Sequence, residues 1–171
     1  MRTGGKGDGR WGNPPAGRGH GVVATAATDL WAVLLRRLGR PTLDYALLGR
    51  WIGHWRAGRW RHAAIGDAAP VRHERMLGWC AHYAIGVGMA GMLMAMPGST
   101  WLHQPTWGAA LGFGVGSVLL PFLVMQPAFG AGIAAARTPR PWQARLQSLA
   151  THAVFGAGLF AGVAILAKFM M

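Results

Sequence analysis

Long stretches of the chain carry almost no charged side chain. Residues 77–136 and 146–167 contain no Lys, Arg, Asp or Glu, and residues 19–35 contain only Asp29. A helix that crosses a membrane needs about 20 predominantly apolar residues. The pattern therefore predicts an all-α membrane protein, a four-transmembrane-helix bundle. Its predicted spans are residues 21–38, 77–96, 108–136 and 146–167.

Two of these spans differ from a plain apolar helix. The first carries Asp29 near its middle, and a mid-helix Asp costs several kcal/mol on insertion scales, so this span is the weakest of the four. The third is longer than a membrane requires and contains Pro121 and Pro127. Because proline removes a backbone hydrogen bond, we expect this span to be kinked or broken there.

The connection between the first two spans, residues 39–76, is rich in Trp and Arg. Within it, "YALLGRWIGHW" places apolar and aromatic residues along one helical face, which predicts an amphipathic helix lying in the headgroup region. The candidate interfacial residues are Trp51, Trp55, Trp60, Arg50 and Arg59. Residues 1–18 are rich in Gly, Pro and Arg and predict a disordered tail, with residues 19–171 as a single membrane domain.

The formal net charge of +12, from 17 basic and 5 acidic residues, changes meaning in this context. In a soluble chain it would suggest nucleic acid, but here the basic residues lie in the connections and the tail, where the lipid bilayer explains them and no nucleic-acid partner is needed. Residues 36–75 hold nine arginines and residues 137–145 hold three. By the positive-inside rule these connections face the cytoplasm, which leaves both termini outside it.

Cys80 is the only cysteine, so an intramolecular disulfide is excluded.

Each predicted span carries one polar side chain in its cytoplasmic half. Isolated polar groups are costly in lipid, so we expect these side chains to face one another, with Asp29 as the partner of His82. Neighbouring hydroxyl groups complete the candidate cluster. Its members are Asp29, His82, Gln126, His152, Thr28, Tyr83 and Thr151.

Small residues recur at four-residue spacing on the predicted spans, which is the pattern that lets helices approach closely in lipid. The candidate packing glycines are Gly78, Gly86, Gly112, Gly116, Gly156, Gly158 and Gly162. The pattern H-x-x-x-G-x-G occurs at both His82 and His152, which leaves open an internal duplication.

Several segments together resemble one bacterial family. They are "TDLWAVLLRRLG", "GRW", "HYAIGVG", "PFLVMQPAFGAGIAAARTPRPWQARLQSL" and "THAVFGAGL". Over about residues 22–166 the chain resembles the membrane proteins grouped as domain of unknown function 2938. The family has no established activity. The resemblance therefore implies a multi-pass protein of the bacterial cytoplasmic (inner) membrane and supplies no catalytic residue.

Three functional hypotheses follow from the polar side chains. In the first, they only hold helices together, and the protein is a structural, assembly or interaction component. In the second, it is a small transporter or proton-relay protein, with Asp29 as acceptor and His82 and His152 as relay; four helices are few for a carrier, so this hypothesis needs a homo-oligomer. In the third, His82 and His152 bind haem iron or a metal.

An enzymatic role has less support. The sequence contains no HExxH metalloprotease motif, no P-loop and no serine elbow. We therefore assign no catalytic residue and expect no tightly bound cofactor unless the two histidines bind one.

Overall fold

The computed structural model describes residues 14–96 and 105–169, and this part of the chain is all helical, without a strand. The predicted tail at residues 1–13 and the loop at residues 97–104 lie outside it. The helices are α1 (Pro14–Arg37), α2 (Tyr45–His54), α3 (Glu74–Ala95), α4 (Trp107–Gly116), α5 (Gln126–Ala128) and α6 (Pro141–Phe169). Short 3₁₀ turns lie at Trp55–Ala57, Ile65–Asp67 and Ile133–Ala135.

Two helices begin five or more residues earlier than predicted, and both begin at a proline. α1 starts at Pro14, inside the segment expected to be a disordered tail, and α6 starts at Pro141, five residues before the predicted start of the last span. Proline suits the first position of a helix because its missing N–H would have no intrahelical partner there. The change in composition at residues 18–20 therefore does not mark the start of the first helix.

Within residues 14–96 and 105–169, three helical segments, not four, are long and apolar enough to cross a membrane. They are Glu74–Ala95, Trp107–Ala128 and Pro141–Ile165. α1 has 24 residues and is long enough, but it does not reach the same apolar character. Its histidine, threonines and Asp29 lower its hydropathy.

The third span is irregular where its prolines lie, as predicted. α4 ends at Gly116, the backbone forms a π-helix over Pro121–Met125, and the short α5 ends at Ala128. Residues 129–136 are not a continuation of this helix, so the predicted end at residue 136 is wrong. Gly130 and Gly132 have positive φ angles, which a continuing α-helix does not allow.

The long helices form one bundle. α1 packs against both α3 and α6, α4 packs against α6, and α2 packs across α3. The buried core lies between them and consists of Ala24, Met89, Ala90, Leu93, Ala110, Phe155, Leu159 and Val163. The predicted amphipathic helix is present as α2, and the side chain of Asp44 caps its N-terminus by accepting from the Ala46 N–H at 2.9 Å.

Glycines allow the close helix contacts, although not all of the predicted ones do so. A Cβ on Gly156 would lie 2.6 Å from the Ala110 oxygen, and one on Gly158 would lie 2.7 Å from the Ala24 Cα. Gly78, Gly86 and Gly162 likewise face the backbone or side chains of neighbouring helices. Gly112 and Gly116, in contrast, face open space, and Gly114 makes the α4 contact instead. The four-residue spacing of the glycines does not show which side of a helix meets a neighbouring helix.

The connections meet at one end of the bundle. Gln147, near the start of α6, donates to the Pro41 carbonyl, and the His62 N–H donates to the Ala128 carbonyl at 2.9 Å. Arg145 donates from Nε to the Ala134 carbonyl at 2.8 Å. The basic segments 36–75 and 137–145 therefore share this end.

Candidate functional site

Asp29 of α1 is the centre of a hydrogen-bonded group that joins three helices. Its Oδ1 lies 3.0 Å from His82 Nε2 and accepts from the Tyr45 hydroxyl at 3.3 Å. Its Oδ2 accepts from the Tyr83 hydroxyl at 2.8 Å. His82 and Tyr83 belong to α3, and Tyr45 is the first residue of α2. The expected contact between Asp29 and His82 is thus present, and both carboxylate oxygens have partners.

Aromatic rings fix the orientation of this group. The Tyr45 ring stacks on the His82 imidazole with centroids 4.1 Å apart, and the Trp79 ring meets the Tyr45 ring edge-on at 4.6 Å. Burial, and then the nearby Asp29 carboxylate, raise the pKa of Tyr45 above its ordinary value. Tyr45 therefore keeps its proton and acts as a donor to Asp29. The sequence analysis had placed Tyr45 only on an interfacial helix.

His152 is held by a different partner. Its Nδ1 lies 2.6 Å from the Ser117 hydroxyl, which in turn donates to the Gly114 carbonyl at 2.6 Å. A hydroxyl has one hydrogen, and a carbonyl can only accept, so Ser117 donates to Gly114 and accepts from His152 Nδ1–H. This assignment leaves the lone pair of the neutral imidazole on Nε2. Ser117 is not among the candidate residues predicted from the sequence, where its only signal is a hydroxyl in an apolar run.

The remaining predicted members do not join either histidine. Gln126 donates to the Ser148 hydroxyl at 3.4 Å, and its Oε1 is buried with no partner among the described residues. Thr28 donates to the Thr25 carbonyl at 2.7 Å, and Thr151 donates to the Gln147 carbonyl at 2.9 Å, each within its own helix. The single predicted cluster is therefore three separate groups, centred on Asp29, His152 and Gln126.

Comparison with known families identifies the family of the chain. The family described as Protein of unknown function (DUF2938) matches residues 19–166. The chain belongs to this family. The resemblance seen in the sequence is thereby confirmed, and the match covers all three polar groups. No curated protein and no solved structure matches the chain.

This DUF2938 protein has a further buried histidine that is not among the candidates predicted from the sequence. His20 of α1 is only 5% exposed, and its ring is hydrogen-bonded to the backbone of Gly162 in α6. Its Nδ1 is buried without a partner in the described part of the chain. The signal was available, because His20 lies nine residues before Asp29 and within the same uncharged stretch.

The predicted interfacial residues of the family member mostly contact one another. The indole of Trp51 donates to the Trp60 carbonyl at 2.9 Å, and the rings of Trp55 and Trp60 stack at 5.0 Å. Arg50 forms a two-pronged ion pair with Glu74 of α3 at 2.8 and 2.9 Å. Arg59 is exposed.

The two histidines of the haem or metal hypothesis have separate hydrogen-bond partners. No group of three or more His, Cys, Asp or Glu side chains is placed to hold a metal ion within residues 14–96 and 105–169. His82 and His152 were the candidate axial ligands, yet Asp29 occupies the His82 Nε2 while Ser117 holds the His152 ring. The two imidazoles thus belong to separate hydrogen-bonded groups.

Proposed function

We propose that this DUF2938 protein is a four-helix membrane protein in which α1 is the fourth spanning helix. The observation that carries the proposal is the inverted surface of α1. Between residues 19 and 35 the exposed positions are Val22, Leu30, Val33 and Leu34, all apolar. The buried positions of the same stretch include His20, Thr25 and Thr28.

An inverted helix of this kind is suited to lipid. In water, the exposed face of a helix is normally polar and its buried face apolar. In a bilayer, apolar side chains face the lipid, whereas polar side chains turn to other helices, where they find partners. α3 shows the same apolar surface. Its exposed positions from residue 79 to residue 96 are Trp79, Cys80, Ala84, Ile85, Gly88, Met92, Ala95 and Met96.

The orientation follows from the basic end of the bundle. The twelve arginines of residues 36–75 and 137–145 lie at the end where Gln147 meets Pro41 and His62 meets Ala128. We place this end in the cytoplasm and both termini outside, in a bacterial inner membrane. Four spans put both termini on the same side, whereas three spans would separate them.

Cysteine labelling tests this arrangement. In a Cys80→Ser background, one cysteine is placed in a tag at the N-terminus, and one replaces Arg61 in the exposed connection. A membrane-impermeant maleimide added to intact cells should label the tag and leave residue 61 unlabelled until the cells are opened. Equal labelling of both positions would show that α1 does not cross the membrane.

The biochemical role that the geometry supports best is structural: the polar groups hold the helices together, and the protein acts as an assembly or interaction component of the membrane. Both oxygens of Asp29 accept hydrogen bonds from α2 and α3. A fully satisfied network rigidifies a buried region and specifies one arrangement. Ser117 and His152 connect the end of α4 to α6 in the same way.

A proton-relay role is the second candidate, because the Asp29–His82 contact is partly open to solvent. The two side chains are 20% and 18% exposed, and Tyr45 reaches Asp29 from the basic end of the bundle. Protein reconstituted in liposomes with a potassium diffusion potential and a pH dye tests this role. A relay requires proton flux that Asp29→Asn abolishes and that Asp67→Asn, at an exposed site, preserves. Absence of flux in the unsubstituted protein leaves the structural role.

A further inference from the structure

Two histidines face each other at the basic end of the bundle, away from the Asp29 group. His54 ends α2, and His62 lies in the connection that follows it. Nδ1 of His54 lies 2.8 Å from Nε2 of His62, and the two rings are nearly parallel with centroids 4.9 Å apart. A neutral imidazole has one N–H and one lone pair, so a single proton joins these two nitrogens.

The segment that carries His62 is docked on the broken end of the third span. The His62 N–H donates to the Ala128 carbonyl at 2.9 Å, and the Ile65 N–H donates to the Phe129 carbonyl at 3.1 Å. Gly130 lies against the Ala63 carbonyl so closely that a Cβ there would overlap it. Ala128 is the last residue of α5. The His54–His62 contact therefore connects α2 to the irregular segment that packs on the end of this span.

His54 and His62 have different charged neighbours. On the side of His54 lies the Glu74 carboxylate of α3, whose pKa is lowered chiefly by its ion pair with Arg50 of α2 and in smaller part by His54. Arg59, in the connection itself, acts on His62, and the third span faces His62 with the Ala128 backbone carbonyl. Burial, then the charge of His54 and that of Arg59, lower the pKa of His62, and only the Ala128 carbonyl opposes them.

The sign of the pH effect follows from this depressed pKa. The unfolded or released His62 has its ordinary pKa of about 6.5. A folded pKa below that value means that docking favours the neutral ring, so its contribution is complete above about pH 6.5 and is lost as the pH falls below it. A charge on His54 alone preserves the bond, since His54 Nδ1–H can donate to His62 Nε2. A charge on both rings places two N–H groups against each other.

We propose that the His54–His62 contact is an acid-sensitive contact that docks residues 62–65 on the end of the third span and releases them when both imidazoles are protonated. The ligand of this site is the proton, and the element that responds is the connection between α2 and α3. The inference does not depend on the Asp29 group or on the proposed structural role. It gives the basic end of the protein a response to acidification.

Hydrogen–deuterium exchange of the full chain in detergent micelles tests the proposal. The amides of His62 and Ile65 report the docking directly, because their N–H groups donate to the third span. After correction for intrinsic exchange, peptides covering residues 60–66 should exchange at least about tenfold faster near pH 5 than near pH 7.5. Peptides from α6 should show no such step.

Matched variants separate this contact from general acid unfolding. Gln has a donor and an acceptor but does not titrate, so His62→Gln should remain protected near pH 5, about as well as the unsubstituted protein near pH 7.5. His73→Asn, at an exposed histidine with φ of 60°, should keep the step. If His62→Gln is unprotected at every pH, His54→Gln provides the test instead. Without the charge of His54, the acid-induced loss of protection must shift to lower pH or disappear. Three results would overturn the proposal. The first is an unsubstituted protein whose exchange does not accelerate between pH 7.5 and pH 5. The others are an acceleration that persists in a protected His62→Gln and one that is unchanged in His54→Gln.

Discussion

Asp29→Ala is expected to be the most destabilising single substitution in the polar groups, because it removes the acceptor of three donors at once. The Tyr45 and Tyr83 hydroxyls each lose a bond of about 1 kcal/mol. The His82 contact, with one charged partner, contributes about 1.5–3 kcal/mol. Hydrogen bonds measured within membranes average only about 0.6 kcal/mol, which gives a lower limit of about 2 kcal/mol for the three. We therefore expect a loss of about 2–5 kcal/mol.

The free energy of unfolding can be measured by titrating the purified protein from mild detergent into sodium dodecyl sulfate and following helix content by circular dichroism. Asp29→Asn keeps one acceptor oxygen, so its loss should be smaller than that of Asp29→Ala. Asp67→Ala, at an exposed aspartate in the connection, is the matched control and should change the unfolding free energy by no more than about 0.5 kcal/mol.

A double-mutant cycle decides whether the loss comes from the hydrogen bonds. Tyr83→Phe removes only the hydroxyl that donates to Asp29. In the absence of Asp29 this second substitution should cost less than in its presence, with a coupling energy of at least about 0.5 kcal/mol. Additive losses, or a cost of Asp29→Ala below about 1 kcal/mol, would refute the reasoning from the structure, because they would mean that the three donors find other partners.

Two further substitutions test the helix contacts. Gly156→Ala should destabilise the protein by about 1–3 kcal/mol in the same titration, because its Cβ would lie 2.6 Å from the Ala110 oxygen, whereas Gly112→Ala, in open space, should be neutral or stabilising by up to about 1 kcal/mol. Equal effects of the two would contradict the assigned packing faces. Ser117→Ala should cost about 1–3 kcal/mol, because the His152 Nδ1–H loses its acceptor, and an unchanged unfolding free energy would argue against this contact.

The sequence was sufficient to locate most helices, because a long uncharged stretch has few stable structures other than a buried or membrane-spanning helix. It also located the irregularity of the third span, since Pro121 and Pro127 cannot donate to an α-helical ladder. The ends of helices were less well predicted. Pro14 and Pro141 begin helices, and Gly130 and Gly132 end one, so the boundaries depend on backbone geometry at a few residues. Uncharged composition continues across those residues and carries no information about them.

The candidate cluster shows a different limit. Sequence position gives depth along a helix at about 1.5 Å per residue, and depth alone suggested that His82 and His152 would meet. Contact between the two histidines also requires that the helix faces carrying them point toward each other, which depends on how the helices pack. His82 faces Asp29 of α1, whereas His152 faces Ser117, so residues at similar depth join different neighbours. Gly112 and Gly114 differ for the same reason: their side of α4 decides their contact.

α1 connects these limits to the proposed function. Mean hydropathy averages over all sides of a helix, so it is low for α1 even though every exposed position from residue 19 to residue 35 is apolar. The polar residues that lower the sum are those with partners in the bundle, such as Asp29 with His82 and His20 with Gly162. Insertion of α1 alone would leave these groups unpaired in lipid, which is costly. In the proposed four-span arrangement, stable insertion of α1 therefore depends on its contacts with α3 and α6, and substitutions at Asp29 should impair membrane insertion of the first helix as well as the stability of the folded bundle.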